Sequence, residues 1–484
     1  MTTSISTTGS ISSAGIGSGL DVNSIIAGLM KVEQAPLTKL QSQATTIQTT
    51  ISAFGAVQSA MAAFRDASSA LALPSTWNAT SATSADPTAV TVASSANAST
   101  GSYAVSVQKL AASQSTVSPT FGSGDALVGA GTLHFDLGNW ASDPSTPNVL
   151  TAFTAKSGST GINVAITATD TLATLASKVN SAGAGVTASV VNDASGSRLV
   201  FSSTTTGTDN GFRITTGDAG LAALAFDPAG GTSGTTLTQP ASNAAATVNG
   251  LAVNSATNSL VNVFNGLTIT LNKVTSAPVQ IGVAQDSAAI KASVKSFVDA
   301  YNSLSTLLGT DLKYDSATKV AGPLQADSAA TSLQRQLRNL VGSASAASST
   351  FTTLSQVGLE IQTDGTLKIN DTKLGSAMAN PAELKKLFTH IDPTDPSNNG
   401  FATRLRTLGN SVLGGDGLLS ARVAGLTAKL TRNQKDQNTL NDRLASTQAR
   451  LQAQYSALDT KMAGINTLST YVTQQIANWN KNTR

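Results

Sequence analysis

Residues 419–479 read LSARVAGLTAKLTRNQKDQNTLNDRLASTQARLQAQYSALDTKMAGINTLSTYVTQQIANW. Leu419, Val423, Leu426, Leu430, Asn433, Gln437, Leu440, Leu444, Thr447 and Leu451 step by four and three. After one extra four-residue step the register resumes at Tyr455, Leu458, Met462, Ile465, Ser469, Val472, Ile476 and Trp479. This is a heptad seam with a stutter, which relaxes the supercoil locally. Its 61 residues predict one helix roughly 90 Å long. The polar seam residues Asn433, Gln437, Thr447 and Ser469 weaken it and can fix register. A helix of this kind needs partners, either within one chain as a bundle core or between subunits.

Working outward, the N-terminal part is also helical. Val22, Ile26, Leu29, Leu37, Leu40, Ile47, Ile51, Phe54, Met61 and Phe64 recur at helical spacing. Pro36 lacks a backbone donor and predicts a kink or a second helix start, and Pro74 closes the run. Between about Trp77 and Val283 short alternating stretches such as Val186–Val191 and Leu267–Leu271 predict strands, with a helix at 171–180. Composition shifts near 120 and 240 predict one β unit inserted into another. Helix returns after Asp286 with a natural stop at Gly309. Asp364-Gly365 predicts a hairpin with a type I′ turn. Asn380-Pro381-Ala382-Glu383 predicts a helix start in which Asn caps and Glu folds back. The expected fold class is α+β multidomain. Long terminal helices form a coiled coil, and a helical-bundle domain carries a β-hairpin. Two nested β-rich domains fill the middle. The expected division is 1–45 plus 430–484 (terminal legs), 46–76 plus 284–429 (helical), 77–120 plus 241–283 (β) and 121–240 (inserted β).

Composition narrows the function. The 484 residues are 40% apolar but only 4% aromatic and 12% charged, against roughly 25% charged in an ordinary domain. Such a methyl-and-hydroxyl surface suits subunits that pack on one another. Thirty Lys+Arg against 27 Asp+Glu leave +3, too little to neutralise many phosphates, so no nucleic acid is expected. Zero Cys removes disulfides, thiol nucleophiles and thiolate metal sites. No apolar run reaches the roughly 20 residues that span a bilayer, so no membrane insertion is expected. The opening MTTSISTTGSISSAGIGSG lacks a basic and an apolar region and predicts no cleaved secretory signal.

Catalytic patterns fail in turn. His134 and His390 are the two histidines, and neither has a second His one helical turn away. No nucleophile elbow is present. Gly15-Ile16-Gly17-Ser18-Gly19 follows no strand and has no Lys, so it reads as a lead into a helix capped by Asp21 or a neighbouring Ser. Asp311 and Asp315 read as solvated loop residues. Arg422, Lys429, Arg432, Lys435 and Arg443 read as a solvated helix face. No catalytic residue, cofactor or metal ligand is expected.

The string GIGSGLDVNSIIAGLMKVEQAPLTKL (15–40) resembles the N-terminal motif of the flagellar filament-capping family, hook-associated protein 2 or FliD. Residues 248–304, QVGLEIQTDGTLKINDTKL (356–374) and LQAQYSALDTKMAGINTLSTYVTQQI (451–476) are similar to its later motifs, in the same order. Residues 162–207 resemble a strand–helix–strand motif of flagellar axial proteins. The resemblance implies a non-enzymatic cap at the filament tip that stops loss of exported flagellin and promotes its polymerisation. It implies export by the flagellar type III route to the extracellular tip. It further implies partners: copies of itself in a pentamer-like ring, flagellin, hook–filament junction proteins, and an export chaperone at the C-terminal helix. Assembly residues are expected at Gly17, Ser18, Gly19, Leu20, Asp21, Ile26 and Leu29. They are expected also at Leu440, Leu444, Leu451, Tyr455, Leu458, Met462, Ile465, Val472 and Ile476. On this reading a variant with Asp in place of Leu444 or Leu458 keeps its β circular-dichroism signal and its solubility yet fails to restore motility to a deletion strain. Another axial protein (flagellin or a junction subunit) and a surface adhesin binding host glycans are the alternatives.

Overall fold

The computed structural model describes residues 21–143, 146–317 and 319–482. By contacts the chain forms two compact units, Ser75–Lys291 and a second made of Met1–Pro74 with Ala292–Arg484. The second unit opens with α1 (Val22–Glu33) and α2 (Ala35–Ala72). Pro36 sits in the first turn of α2, where its missing N–H costs nothing, so the proline starts a helix and does not bend one.

The middle unit holds two apolar cores. The first lies between a five-stranded antiparallel sheet and a three-stranded one. The five strands run in the order Thr80–Ser84, Val279–Gln285, Gly101–Lys109, Ala244–Val248 and Leu251–Ser255. Alternation along Gly101–Lys109 turns Tyr103, Val105 and Val107 inward, where they meet Val248, Ile269 and Ile281. Strands Ala244–Val248 and Leu251–Ser255 are joined by Asn249-Gly250, both at positive φ (+51° and +83°). That is the two-residue type I′ turn, and Asn-Gly is its strongest sequence signal.

The second core is built from residues 128–226. Here α3 (Leu172–Ala182), capped by Thr171, turns Leu172, Leu175 and Val179 inward. They join Leu133 and Phe135 of strand Gly131–Asp143 and Leu199 and Phe201 of strand Gly196–Ser203. Buried Gln114 donates to the Phe212 carbonyl and accepts from the Phe212 N–H, so both ends of its amide are bonded. Thr116 is as deeply buried, and its hydroxyl has no partner.

The chain re-enters the helical unit along α4 (Ser287–Leu312), which runs straight through Gly309. The expected stop fails because the end of α4 is set from a distance: the Leu324 N–H donates to the Asp311 carbonyl and the Gly322 N–H to that of Lys313. Asp311, expected in a solvated loop, is instead a buried residue of the last helical turn. After α5 (Ser328–Gly342) comes the hairpin Leu359–Ile361/Leu367–Ile369. Its turn is not type I′. Gly365 alone takes positive φ (+86°), its N–H donates to the Gln362 carbonyl, and the Gln362 N–H donates to Thr366. This is the three-residue loop closed by a glycine bulge.

Then follow α6 (Asp371–Met378), α7 (Pro381–Thr389), α8 (Phe401–Leu413) and α9 (Leu418–Asn482). Asn380 caps α7, yet Glu383 does not fold back onto the cap: its carboxylate accepts from Ser348, Ser349 and Lys386. The core of this unit centres on α2, whose Phe54, Val57, Met61, Phe64 and Leu71 are fully buried. Phe64 packs on Phe297 and Tyr301 at ring separations of 5.4 and 5.7 Å. α2 lies along α8 and α9. Gly409 permits the first approach, since a Cβ there would stand 2.6 Å from the Arg65 Cβ.

Candidate assembly surface

The candidate residues lie on α1 and α9. Asp21 is the α1 N-cap, its Oδ1 accepting from the Ser24 N–H at 3.1 Å. That hydrogen bonding holds its carboxyl below the ordinary range, with the Ser24 hydroxyl contributing most. Gly17, Ser18, Gly19 and Leu20 lie outside the described residues. Below the cap, Val22, Ile26 and Met30 form one stripe packed on Leu444 of α9, with Leu440, Leu451 and Tyr455 half-buried around them. Ile26, Leu440, Leu444, Leu451 and Tyr455 are thus brought together within one chain. Val22 and Met30 belong to the same cluster and were not among the expected residues, although each lies one turn from Ile26.

α9 is a single 65-residue helix, about 100 Å long. Its two polar seam residues at the upper end satisfy each other, Gln437 Nε2 donating to the buried Asn433 Oδ1 at 2.6 Å. Arg422 is exposed, as expected of a solvated face, but it is paired. Its Nε and Nη2 donate to Asp327 Oδ2 at 2.8 and 2.7 Å, and the Asp327 side chain is only 5% exposed. Asp327 also caps α5 through the Ala329 and Ala330 N–H groups.

Beyond Tyr455 the seam is mostly exposed among the described residues. Leu458 is 43% exposed, Ile465 58%, Val472 45%, Ile476 53% and Trp479 75%, with Met462 half-buried. Leu29, also expected to assemble, faces outward at 43% beside Ile25 and Val32. From Met462 to Asn480 the helix carries no charged residue. From Leu458 to Ile476 these hydrophobic side chains form one exposed row among the described residues, which marks a surface for association.

His134 stands on a strand, its Nδ1 2.6 Å from Asn163 Oδ1 and its Nε2 3.0 Å from Asp136 Oδ1, with Arg213 on the other Asp136 oxygen. His390 closes the end of α7. Among the described residues no group of three His, Asp or Glu could hold a metal ion, and no helix is long and apolar enough to cross a membrane.

The fold therefore defines an α+β multidomain chain whose first and last long helices pack in one helical unit and whose last helix presents an apolar row exposed among the described residues. Known proteins resemble this chain. Family models for the N-terminus and C-terminus of flagellar hook-associated protein 2 match residues 18–114 and 241–467, and one for the flagellin hook IN motif matches 152–205. Flagellar hook-associated protein 2 of Escherichia coli K12 is 31% identical over 97% of this chain and 98% of its own. B-type flagellar hook-associated protein 2 of Pseudomonas aeruginosa is 29% identical over 92% and 93%. The crystal structure of the D1–D2–D3 domains of the E. coli flagellar cap protein FliD superposes with a TM-score of 0.62 at 27% identity, covering 78% of this chain and 99% of that one. The chain belongs to the flagellar hook-associated protein 2 (FliD) family.

Proposed function

We propose that the chain is the cap of a bacterial flagellar filament: it sits at the distal, extracellular tip, holds back exported flagellin and promotes its polymerisation. The observation that carries this reading is the row from Leu458 to Ile476, exposed among the described residues, on the terminal helix of a chain of this family. Apolar surface left in water costs roughly 25 cal/mol per Å², so the row favours burial against neighbouring subunits. The described seam residues and the Gly17–Asp21 motif are the assembly residues of this reading. Residues 1–45 with 430–484 act as legs against the filament. Residues 46–76 with 284–429 form the helical body, and 77–283 form the plate, with 121–240 as an insert.

The cap is a ring of copies, a pentamer in this reading. It meets flagellin and the hook–filament junction proteins, takes an export chaperone on the C-terminal helix, and leaves the cell by the type III route. Its role is structural and chaperoning, without catalysis. A helix marginal on its own can pass a narrow channel unfolded and order on meeting its neighbours. The test is a clean deletion. Lost filaments and flagellin monomer in the medium are expected; normal filaments on the deletion strain would overturn the cap role.

A further inference from the structure

An asparagine amide is lost most readily where glycine follows, because no side chain keeps the glycine nitrogen from the amide carbon. The chain has four such steps, at Asn210, Asn249, Asn265 and Asn399. Three are held by their surroundings. Asn210 donates to the Thr206 carbonyl at 2.6 Å and accepts from Lys156 Nζ at 2.7 Å. Asn249 Oδ1 accepts from the Ala104 N–H at 2.8 Å. Asn399 Oδ1 accepts from the Asp392 N–H at 2.6 Å, and the N–H of the following Gly400 is engaged by the His390 carbonyl at 2.9 Å.

Asn265 differs at both atoms the reaction needs. It is exposed, and its side-chain amide makes no hydrogen bond among the described residues; nor does the Gly266 N–H. The two residues lie at the tip between strands Ser259–Val261 and Leu267–Leu271, where the Leu267 N–H donates to the Phe264 carbonyl and Gly266 takes φ +79°.

We propose that Asn265 is a site of spontaneous deamidation, with water as the co-reactant. The Gly266 nitrogen attacks Asn265 Cγ and closes a succinimide ring. The side-chain nitrogen leaves as ammonia, taking the proton that the Gly266 nitrogen gives up. Water then opens the ring at either carbonyl. One opening leaves aspartate; the other leaves isoaspartate, with the main chain rerouted through the side-chain carboxyl. Both products place a new carboxylate on the tip. Isoaspartate also lengthens the backbone by one carbon beside Phe264, whose ring packs on Tyr103 at 4.7 Å.

The test follows the full chain over time in mildly alkaline buffer, with digestion and mass spectrometry of the four Asn-Gly peptides. Conversion to aspartate and isoaspartate should be at least tenfold faster at Asn265 than at Asn210, Asn249 or Asn399. In guanidinium, where the fold is gone, the four should react at similar rates. Asn265→Gln should abolish the early product and leave the other three unchanged. Conversion of any of those three as fast as Asn265 in the folded chain would overturn the assignment. So would an Asn265 that stays intact when folded and reacts only in guanidinium, or the same tenfold order in guanidinium, which would place the preference in local sequence and not in the fold.

Discussion

Single residues separate what this chain needs for folding from what it holds for its neighbours. The buried Thr116 hydroxyl has given up water and gained no partner. Thr116→Val removes that group at constant shape and is expected to stabilise the β unit by about 1 kcal/mol in thermal or chemical unfolding. Arg422 is the opposite case. Arg422→Ala leaves the Asp327 carboxylate nearly enclosed with only its capping N–H partners, and a loss of about 2 kcal/mol from the helical unit is expected in urea titration. Neither residue announced itself in the sequence. The partner of Arg422 lies 95 positions away, and an arginine on a helix of mixed charges looks solvated until that neighbour is known. Asp-Gly at 364–365 showed that a hairpin forms, but only the backbone angle of Asp364 decides between two-residue and three-residue loops. The true type I′ turn lies at Asn249-Gly250, where both residues take positive φ.

At the scale of the element, α9 carries one pattern with two fates. Heptad spacing shows which face of a helix is apolar and does not show what covers it, so Leu444 and Leu458 read alike. In the structure Leu444 is 7% exposed against α1, whereas Leu458 is 43% exposed. Leu444→Asp therefore buries a charge within the chain and should lower stability by several kcal/mol, correcting the expectation that it spares the fold. Leu458→Asp should keep the melting temperature and solubility yet fail to restore motility to a deletion strain; full motility would remove the distal seam from assembly. Along the same helix Thr427, Thr431, Thr460, Thr467, Thr470 and Thr473 each donate to the carbonyl four residues back. These hydroxyls are satisfied before any neighbour arrives, so a partner can cover them without leaving a buried donor unpaired.

Across the whole molecule, carboxylates set the response to acid. The Lys178 ammonium and the Thr167 N–H hold Asp170 far below the usual carboxylate range, and Glu383 is lowered to about 2 by Lys386 first and then by Ser348 and Ser349. Groups lowered in the folded state stabilise it fully above their unfolded values. Stability should therefore fall as pH drops from the ordinary carboxylate value of 4.5 for Glu383 toward about 2. Asp311 has the reverse sign: burial raises it, and it stands in the last turn of α4, where a negative charge opposes the helix dipole. Asp311→Asn should stabilise the chain at pH 7 by about 1 kcal/mol, and urea titrations should show the gain vanishing where the native carboxyl is protonated. The division of the chain into units has a consequence for how it emerges from a channel. Residues 75–291 are contiguous and can fold as soon as that stretch is free. The other unit closes only when α2 meets α8 and α9, so whichever end leads, it must wait for the other across some three hundred intervening residues. Its contact order is high and its closure slow. Folding of the β unit is thus a local event during transit, and completion of the helical unit is a signal that the entire polypeptide has arrived.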